Sequence, residues 1–274
     1  MRRSSAFALF GLVLLLASSP ARSSDRPDTA LCASGEGDAR IAACTRLMGQ
    51  TRLSPTDRAS VLYDRAAAYA RSGATARAIA DYSAALALKP DFVPALNNRG
   101  GLFRSMGDLD RATADFSAVI ALDPKRDAAY VNRGIAYTEA RKYENAATDF
   151  AEATRLAPDQ ASGYAGLCWV MALQGVEAER ALEYCDTALR LQPDNTSALS
   201  YRALVFIRLN DFDGAVAEYD RCLEKEPQNA SFLYGRAIAK LRSGNPTGAK
   251  QDFASANGLD PSVGRVFSDI GIAP

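Results

Sequence analysis

Apolar and small residues recur along most of the chain at steps of three and four positions, the spacing of one face of an α-helix. Between residues 94 and 124, for example, two such amphipathic stretches flank Gly107. A glycine readily adopts the left-handed conformation that ends a helix, and Pro124 stops the second helix before the next one begins. The pattern therefore predicts pairs of short helices, each pair forming a hairpin.

These helix pairs repeat with a nearly constant period. Prolines are spaced by 34, 34, 35, 34 and 34 residues, at Pro90, Pro124, Pro158, Pro193, Pro227 and Pro261. An alanine stands twelve residues before each proline, at Ala78, Ala112, Ala146, Ala181, Ala215 and Ala249. Eight residues before each proline the chain has Tyr82, Phe116, Phe150, Cys185, Tyr219 and Phe253. Columns that keep one phase through six units indicate an internal repeat.

The period and these columns resemble the tetratricopeptide repeat (TPR). A further column of small residues lies three positions before aromatic ones, in the pairs Ala66 and Tyr69, Gly100 and Phe103, Gly134 and Tyr137, and Ala203 and Phe206. The resemblance covers about residues 59–261 and implies an all-α fold, a right-handed superhelical solenoid of antiparallel helix hairpins. It departs from the family pattern just before the small residue, where five units have arginine instead of leucine.

The resemblance divides the chain into four segments. We expect a signal peptide at 1–21, an N-terminal linker and capping half-repeat at 22–58, six TPR units at 59–261, and a C-terminal capping helix at 262–274. The half-repeat is predicted because residues 39–48 align with the second-helix stretch 77–86. The last helix is predicted because one helical face would carry Val263, Val266, Phe267 and Ile270.

The first residues have the pattern of an export signal. Two arginines near the start precede an apolar run over residues 6–17, and Ser19 and Ala21 suit cleavage before Arg22. Because the run is too short to span a bilayer, we expect a periplasmic or secreted protein that is not inserted in a membrane once the signal is removed. A retained anchor or a buried core helix is the alternative, and the export route stays open.

Composition and charge exclude several classes of function. The 32 basic and 32 acidic side chains balance, so no net charge attracts nucleic acid or an anionic membrane surface. The chain has no histidine, which removes the commonest general base and the commonest zinc ligand. We therefore expect a non-catalytic protein without cofactor or metal. An enzyme built on a carboxylate pair stays an alternative, although the repeat, a helix face or a cap accounts for nearly every acid.

The arginines that depart from the TPR pattern are each followed sixteen residues later by an acid. The pairs are Arg65 and Asp81, Arg99 and Asp115, Arg133 and Asp149, Arg202 and Glu218, and Arg236 and Asp252. In the fourth unit both members are replaced, by Leu167 and Tyr184. Contact between the two positions is the simplest cause, so we predict a ladder of structural ion pairs; a row of ligand-binding arginines is the alternative. Exposed pairs contribute only about 0.2–1 kcal/mol each, so such a ladder would set registry more than stability.

Four of the five cysteines are placed to form disulfides. Cys168 and Cys185 occupy the small and aromatic columns of the fourth unit, which lie on facing helices, and Cys32 and Cys44 flank the start of the N-terminal cap. Because disulfides persist outside the cytoplasm, we predict that Cys168 pairs with Cys185 and Cys32 with Cys44. Cys222 stands where other units have a core alanine or valine, and we expect a buried free thiol there.

The resemblance also implies a function, because TPR proteins hold partner segments on a concave face lined by the first helix of each hairpin. Residues one period apart form columns on that face. The candidate partner-binding residues from these columns are Asn97, Asn98, Asn132, Tyr201 and Tyr234. Asparagine amides both donate and accept hydrogen bonds, and tyrosines are common anchors of interfaces. For the asparagines, hydrogen bonding to the neighbouring repeat is the alternative.

The sequence therefore predicts a non-catalytic scaffold that binds a protein or peptide, and no nucleic acid. A structural or assembly subunit of a cell-envelope complex is the second hypothesis, with its interface on the convex face or the edges. The oligomeric state is left open by the sequence.

Overall fold

The computed structural model describes residues 25–274, and the predicted signal peptide at 1–21 lies outside this part of the chain. The described residues form fifteen α-helices and no strand. They are α1 (Asp25–Ser34), α2 (Gly37–Met48), α3 (Pro55–Arg71), α4 (Thr75–Leu88), α5 (Val93–Ser105), α6 (Leu109–Leu122), α7 (Asp127–Glu139), α8 (Tyr143–Leu156), α9 (Ala161–Gln174), α10 (Ala178–Leu191), α11 (Thr196–Arg208), α12 (Phe212–Lys225), α13 (Ala230–Arg242), α14 (Pro246–Leu259) and α15 (Val263–Asp269). None of these helices is long and apolar enough to cross a membrane.

Helices α3 to α14 form six hairpins that stack in chain order. Each helix packs against its partner in the hairpin and against the first helix of the next hairpin. The prediction of an all-α solenoid of helix hairpins is confirmed.

The turn inside each hairpin has at least one residue in the left-handed conformation, and the fourth turn has a second one, Glu177. The first such residue of each turn is Gly73, Gly107, Arg141, Gly175, Asn210 or Gly244, with φ between 57° and 87°. A side chain makes this conformation unfavourable, and asparagine tolerates it better than most residues do. The third and fourth turns therefore each hold a side chain that disfavours this conformation, at Arg141 and at Glu177.

Small and aromatic columns meet inside each hairpin. A Cβ atom added to Gly100 would lie 2.9 Å from the ring of Phe116, and one added to Gly134 would lie 2.9 Å from the ring of Phe150. Both rings are buried, with at most 2% of their surface exposed. The small column is thus explained by sterics, because the aromatic ring of the second helix occupies the space of a side chain on the first.

The N-terminal cap is larger than the predicted half-repeat. Residues Asp25–Ser34, which were expected to be a linker, form helix α1, which packs on α2 as a hairpin. A disulfide joins Cys32 to Cys44, with a Cα–Cα distance of 4.8 Å, and Arg46 pairs with Asp28. Helix α1 has few apolar residues, so no periodic apolar pattern in the sequence predicts it. The disulfide and the ion pair hold it against α2 instead.

The structure brings all five predicted arginine–acid pairs into contact. Hydrogen bonds of 2.6–2.9 Å link each arginine to the acid sixteen residues later. The five acids are buried, with at most 8% of their surface exposed. The expectation of exposed pairs was therefore wrong, and removing one partner would strand a charge in a poorly hydrated place.

Each of these arginines also reaches the preceding hairpin, a contact that was not predicted from the sequence. Arg99 Nη1 donates to Ser83 Oγ at 2.9 Å, and Arg133 Nη1 donates to Ser117 Oγ at 3.0 Å. Arg202 and Arg236 make the equivalent contacts with Asp186 and Asp220, and Arg65 bonds to Thr45 in the cap. One guanidinium thus ties together both helices of its own hairpin and the hairpin before it.

The fourth hairpin lacks this ladder and has a disulfide instead. Cys168 of α9 is bonded to Cys185 of α10, with a Cα–Cα distance of 5.2 Å. Leu167, at the arginine position, is buried among apolar side chains. Cys222 is free and buried, and burial, with a smaller effect of the nearby acid Glu218, raises the pKa of its thiol to about 12.

We predict that Asp115→Ala lowers the free energy of unfolding by about 2–4 kcal/mol, because Arg99 loses two charge-assisted hydrogen bonds in a partly buried place. Denaturant unfolding of Arg99→Ala, Asp115→Ala and the double variant measures the coupling. Asp110→Ala is the control, since Asp110 is an almost fully exposed acid of the same helix, and it should change stability by less than about 0.5 kcal/mol. Zero coupling between Arg99 and Asp115 would contradict the ladder.

We also predict that thiol labelling at pH 8 finds no fast-reacting cysteine in the native protein, because the one free thiol is buried and has a raised pKa. Denaturant without reductant should expose one thiol per chain, and denaturant with reductant should expose five. Cys222→Ala is the control and should leave none in the unreduced chain. Two or more thiols before reduction would disprove the disulfide pairing.

Candidate partner-binding groove

The first helices of the hairpins form the inner face of the solenoid. Helices α3, α5, α7, α9, α11 and α13 each contact the next one in this series, whereas no two second helices within residues 25–274 contact each other. The stack is therefore shorter along its first helices than along its second helices. A face made in this way is concave.

A cavity of about 390 Å³ opens on this face between α7, α9 and α11. It exists because the inward positions of α9 hold the small residues Ser162, Ala165 and Gly166. Phe150 from α8 lies behind it, and a Cβ atom on Gly166 would collide with that ring. Any larger residue at Gly166 would therefore disturb the floor of the cavity.

Two stacked aromatic rings form one wall of this cavity. The ring centroids of Trp169 and Tyr201 are 5.4 Å apart, and the rings are inclined by 10°. Val131 and Ile135 from α7 form the opposite side. Burial raises the pKa of Tyr201 to about 12. Its hydroxyl, which is protonated at neutral pH, therefore stays able to donate a hydrogen bond at alkaline pH as well.

A second groove, of about 320 Å³, lies on the other side of the same ring pair. Leu173, Leu204 and Phe232 contribute its inner wall. Val266 and Ile270 from the C-terminal segment contribute the outer wall. Trp169 and Tyr201 thus separate two adjoining apolar sites on one face.

Of the two predicted tyrosine anchors, one lines these sites and the other does not. Tyr201 lines both cavities. Tyr234 is only 8% exposed, and its ring lies 4.9 Å from that of Phe253 and 5.1 Å from that of Phe267. The C-terminal helix covers it, so Tyr234 is not open to a partner in this structure, and its role as a partner-binding residue stays a prediction. Tyr234 belongs to the core.

Asn98 hydrogen-bonds to the neighbouring repeat, which is the alternative to a role in partner binding. Its Nδ2 donates to the hydroxyl of Tyr82 at 3.1 Å and to that of Tyr63 at 3.3 Å. Both tyrosines belong to the preceding hairpin, so this amide joins two repeats. Asn132 is half-buried one period further along the inner face.

Asn97 and Asn98 line a shallow cavity of about 500 Å³ between α3 and α5, together with Tyr63 and Arg71. The Oδ1 atom of Asn97 is buried and has no hydrogen-bond partner in the described part of the chain. At the same end of the face Asp64 pairs with Arg40 at 3.0 Å. Burial outweighs this ion pair and raises the pKa of Asp64.

The residues that distinguish the aromatic cavity were not among those predicted from the sequence. Trp169 is the only tryptophan of the chain, and it falls one period from Ile135 and Leu204. The full column changes from small to large along the chain, through Ala67, Gly101, Ile135, Trp169, Leu204 and Ile238. This change was visible in the sequence and would have indicated where the inner face becomes apolar.

Comparison with known proteins agrees with this architecture. A family model described as "Tetratricopeptide repeat" matches residues 97–161 and 201–263. The chain is a tetratricopeptide-repeat protein. No curated protein matches it.

Several solved structures share the TPR fold. A tetratricopeptide repeat protein from Parabacteroides merdae is 16% identical, with 90% of this chain and 96% of that chain covered and a TM-score of 0.73. A chain of the APC/C hetero-tetramer Cut9–Hcn1 is 15% identical, with 90% and 48% covered and a TM-score of 0.72. The Pseudomonas aeruginosa protein pilF is 20% identical, with 79% and 98% covered and a TM-score of 0.63. The fold suggests a protein–protein interaction scaffold with protein or peptide partners, and the TPR family is generally non-catalytic.

We predict that Asn98→Ala lowers the free energy of unfolding by about 1 kcal/mol, because two tyrosine hydroxyls of the preceding repeat lose its amide. Asn132→Ala is the matched control and should cost less, because the residue equivalent to Tyr82 is then Phe116, which has no hydroxyl. Thermal unfolding of both variants makes the comparison. An unchanged midpoint for Asn98→Ala would return Asn98 to the candidate binding residues.

Proposed function

We propose that this TPR protein is a non-catalytic scaffold that holds a segment of a partner protein on its concave face. The observation that carries the proposal is the cavity walled by Trp169 and Tyr201. Ligand sites are typically concave and mostly apolar with a few polar groups, and aromatic residues are enriched at the centre of protein interfaces. The binding residues we assign are Ile135, Trp169 and Tyr201.

The cavity favours a bulky apolar side chain as the anchor of the partner. Val131, Ile135 and the two stacked rings surround its centre. Its rim is polar and includes Ser162, Asn195 and Ser197. An apolar centre with a polar rim is the usual arrangement of a protein interface. The rim groups are placed to bond the backbone on either side of the anchor.

The proposal includes an oxidising location, in the periplasm or outside the cell. Two disulfides join cysteines on adjacent helices, Cys32 with Cys44 and Cys168 with Cys185. Structural disulfides are rare in reducing compartments, and each closes a loop that the reduced chain would leave open. Both cysteine pairs are buried, which suits a structural role.

Filling the cavity tests the proposal. Ser162 is exposed at its rim, so Ser162→Phe places a ring in the cavity without replacing a core residue. The probes are peptides selected on the wild-type protein from a random display library, and Trp169 emission reports binding because it is the only tryptophan. We expect Ser162→Phe to weaken these peptides at least tenfold, about 1.4 kcal/mol.

Thr148→Phe is the matched control, because Thr148 is exposed on the second helix α8 and lines neither inner-face cavity. It should leave peptide affinity unchanged. Equal affinities of both variants and the wild type would reject binding at this cavity. Loss of affinity in Thr148→Phe alone would instead favour the second hypothesis, an assembly subunit that uses its convex face.

A further inference from the structure

The C-terminal segment 262–274 does more than cover the last hairpin. Its helix α15 buries Val263 and Phe267 against the sixth hairpin, and Ile272 is also buried. The sequence predicted one apolar face turned toward that hairpin. Val266, on the same face, is instead 54% exposed and lines the groove beside Trp169.

Three arginines, from the third, fifth and sixth hairpins, also hold the segment. Arg208, at the end of α11, donates to the backbone oxygen of Ile270 at 2.7 Å. Arg242, at the end of α13, donates to the backbone oxygen of Ala273 at 2.8 Å. Arg141, in the turn of the third hairpin, pairs with Asp269 at 2.6 Å, across 128 residues of sequence. The segment therefore reaches back from the sixth hairpin toward the third.

This course places the segment on the candidate binding face. Val266 and Ile270 form one wall of the groove of about 320 Å³ whose other wall includes Leu204. Trp169 and Tyr201 are shared between this groove and the cavity assigned to the partner. A segment of the chain already occupies part of the surface that a partner helix would need.

The C-terminal segment can detach from the sixth hairpin without unfolding the solenoid. A helix of seven residues is unstable alone, and α15 lacks a side-chain cap at its first turn. The pair of Arg141 with Asp269 is more than half exposed on both sides, and exposed pairs add little. Arg208 also bonds the backbone oxygens of Ala172 and Leu173, so it stays in place when the segment leaves. Terminal elements with few buried contacts open locally first.

We propose that segment 262–274 is a displaceable ligand of the protein's own concave face, and that a partner replaces it with an amphipathic helix of the same kind. That helix would carry apolar residues at the spacing of Val263, Val266, Phe267 and Ile270, and backbone carbonyls just after its last turn would accept from Arg208 and Arg242. The part of this proposal that concerns a partner helix rests on the proposed function. The part that makes segment 262–274 an internal ligand does not, because it is tested without any outside partner.

The test offers the protein its own segment from outside. A synthetic peptide with the sequence of residues 262–274, labelled at its N-terminus, is titrated into the full-length protein and its anisotropy is measured. Phe267→Ala weakens the internal segment, so this variant should bind the peptide at least tenfold more tightly than the wild type does. Arg265→Ala is the control, because Arg265 is exposed on the same helix, and it should behave as the wild type does.

Hydrogen exchange of the wild-type protein supplies a second measurement that no substitution disturbs. The amides of α15 should exchange at least tenfold faster than those of α13, and the peptide should not protect α13 further. Amides of α15 that are as slow as those of α13 would overturn the proposal, and so would equal peptide affinities of the three proteins. Suppose that Ser162→Phe leaves the affinity of the selected peptides unchanged, but the anisotropy and hydrogen-exchange results are as expected. The proposed function then fails, and the proposal of an internal ligand stands.

Discussion

The arginine that joins two hairpins is the interaction on which the rest of this solenoid depends. In a stack of repeats each unit touches only its neighbours, so the interface between units decides whether the stack forms as one body. Arg99 bonds the buried Asp115 of its own hairpin and Ser83 of the one before it. Four other units repeat this contact. The curvature that creates a concave face follows from interfaces that are nearly alike.

How much the sequence predicts depends on whether a feature repeats. The hairpins and the pairing of Arg99 with Asp115 recur every 34 residues, so each unit confirms the others. The contact of Arg99 with Ser83 was missed because that position does not keep one residue type, with serine in the second and third contacts and aspartate in the last two. Helix α1 and the buried state of Tyr234 occur once each, at the ends, where no second copy reveals them. Both depend on long-range packing that one period of sequence does not contain.

The fourth hairpin shows why the candidate site lies where it does. It has neither the arginine nor the acid of the ladder, and a disulfide between Cys168 and Cys185 joins its two helices instead. In the entropy model a disulfide closing a loop of this size contributes roughly 3 kcal/mol, which is comparable to a buried ion pair lost from a hairpin. With its helices bonded covalently, this unit retains its hairpin while Ala165 and Gly166 leave the inner face open.

The open surface and its cover arise from the same geometry. Small residues in α9 leave a cavity in front of the buried ring of Phe150, and the neighbouring Trp169 and Tyr201 then have no larger side chain packed over them. An apolar surface of this kind is unfavourable in water unless something covers it. Val266 and Ile270 cover one side of the ring pair, while the side facing α7 stays open. The half-covered ring pair is therefore a site whose occupancy is already shared, so a partner that must displace the internal segment binds more weakly than it would bind the same groove uncovered.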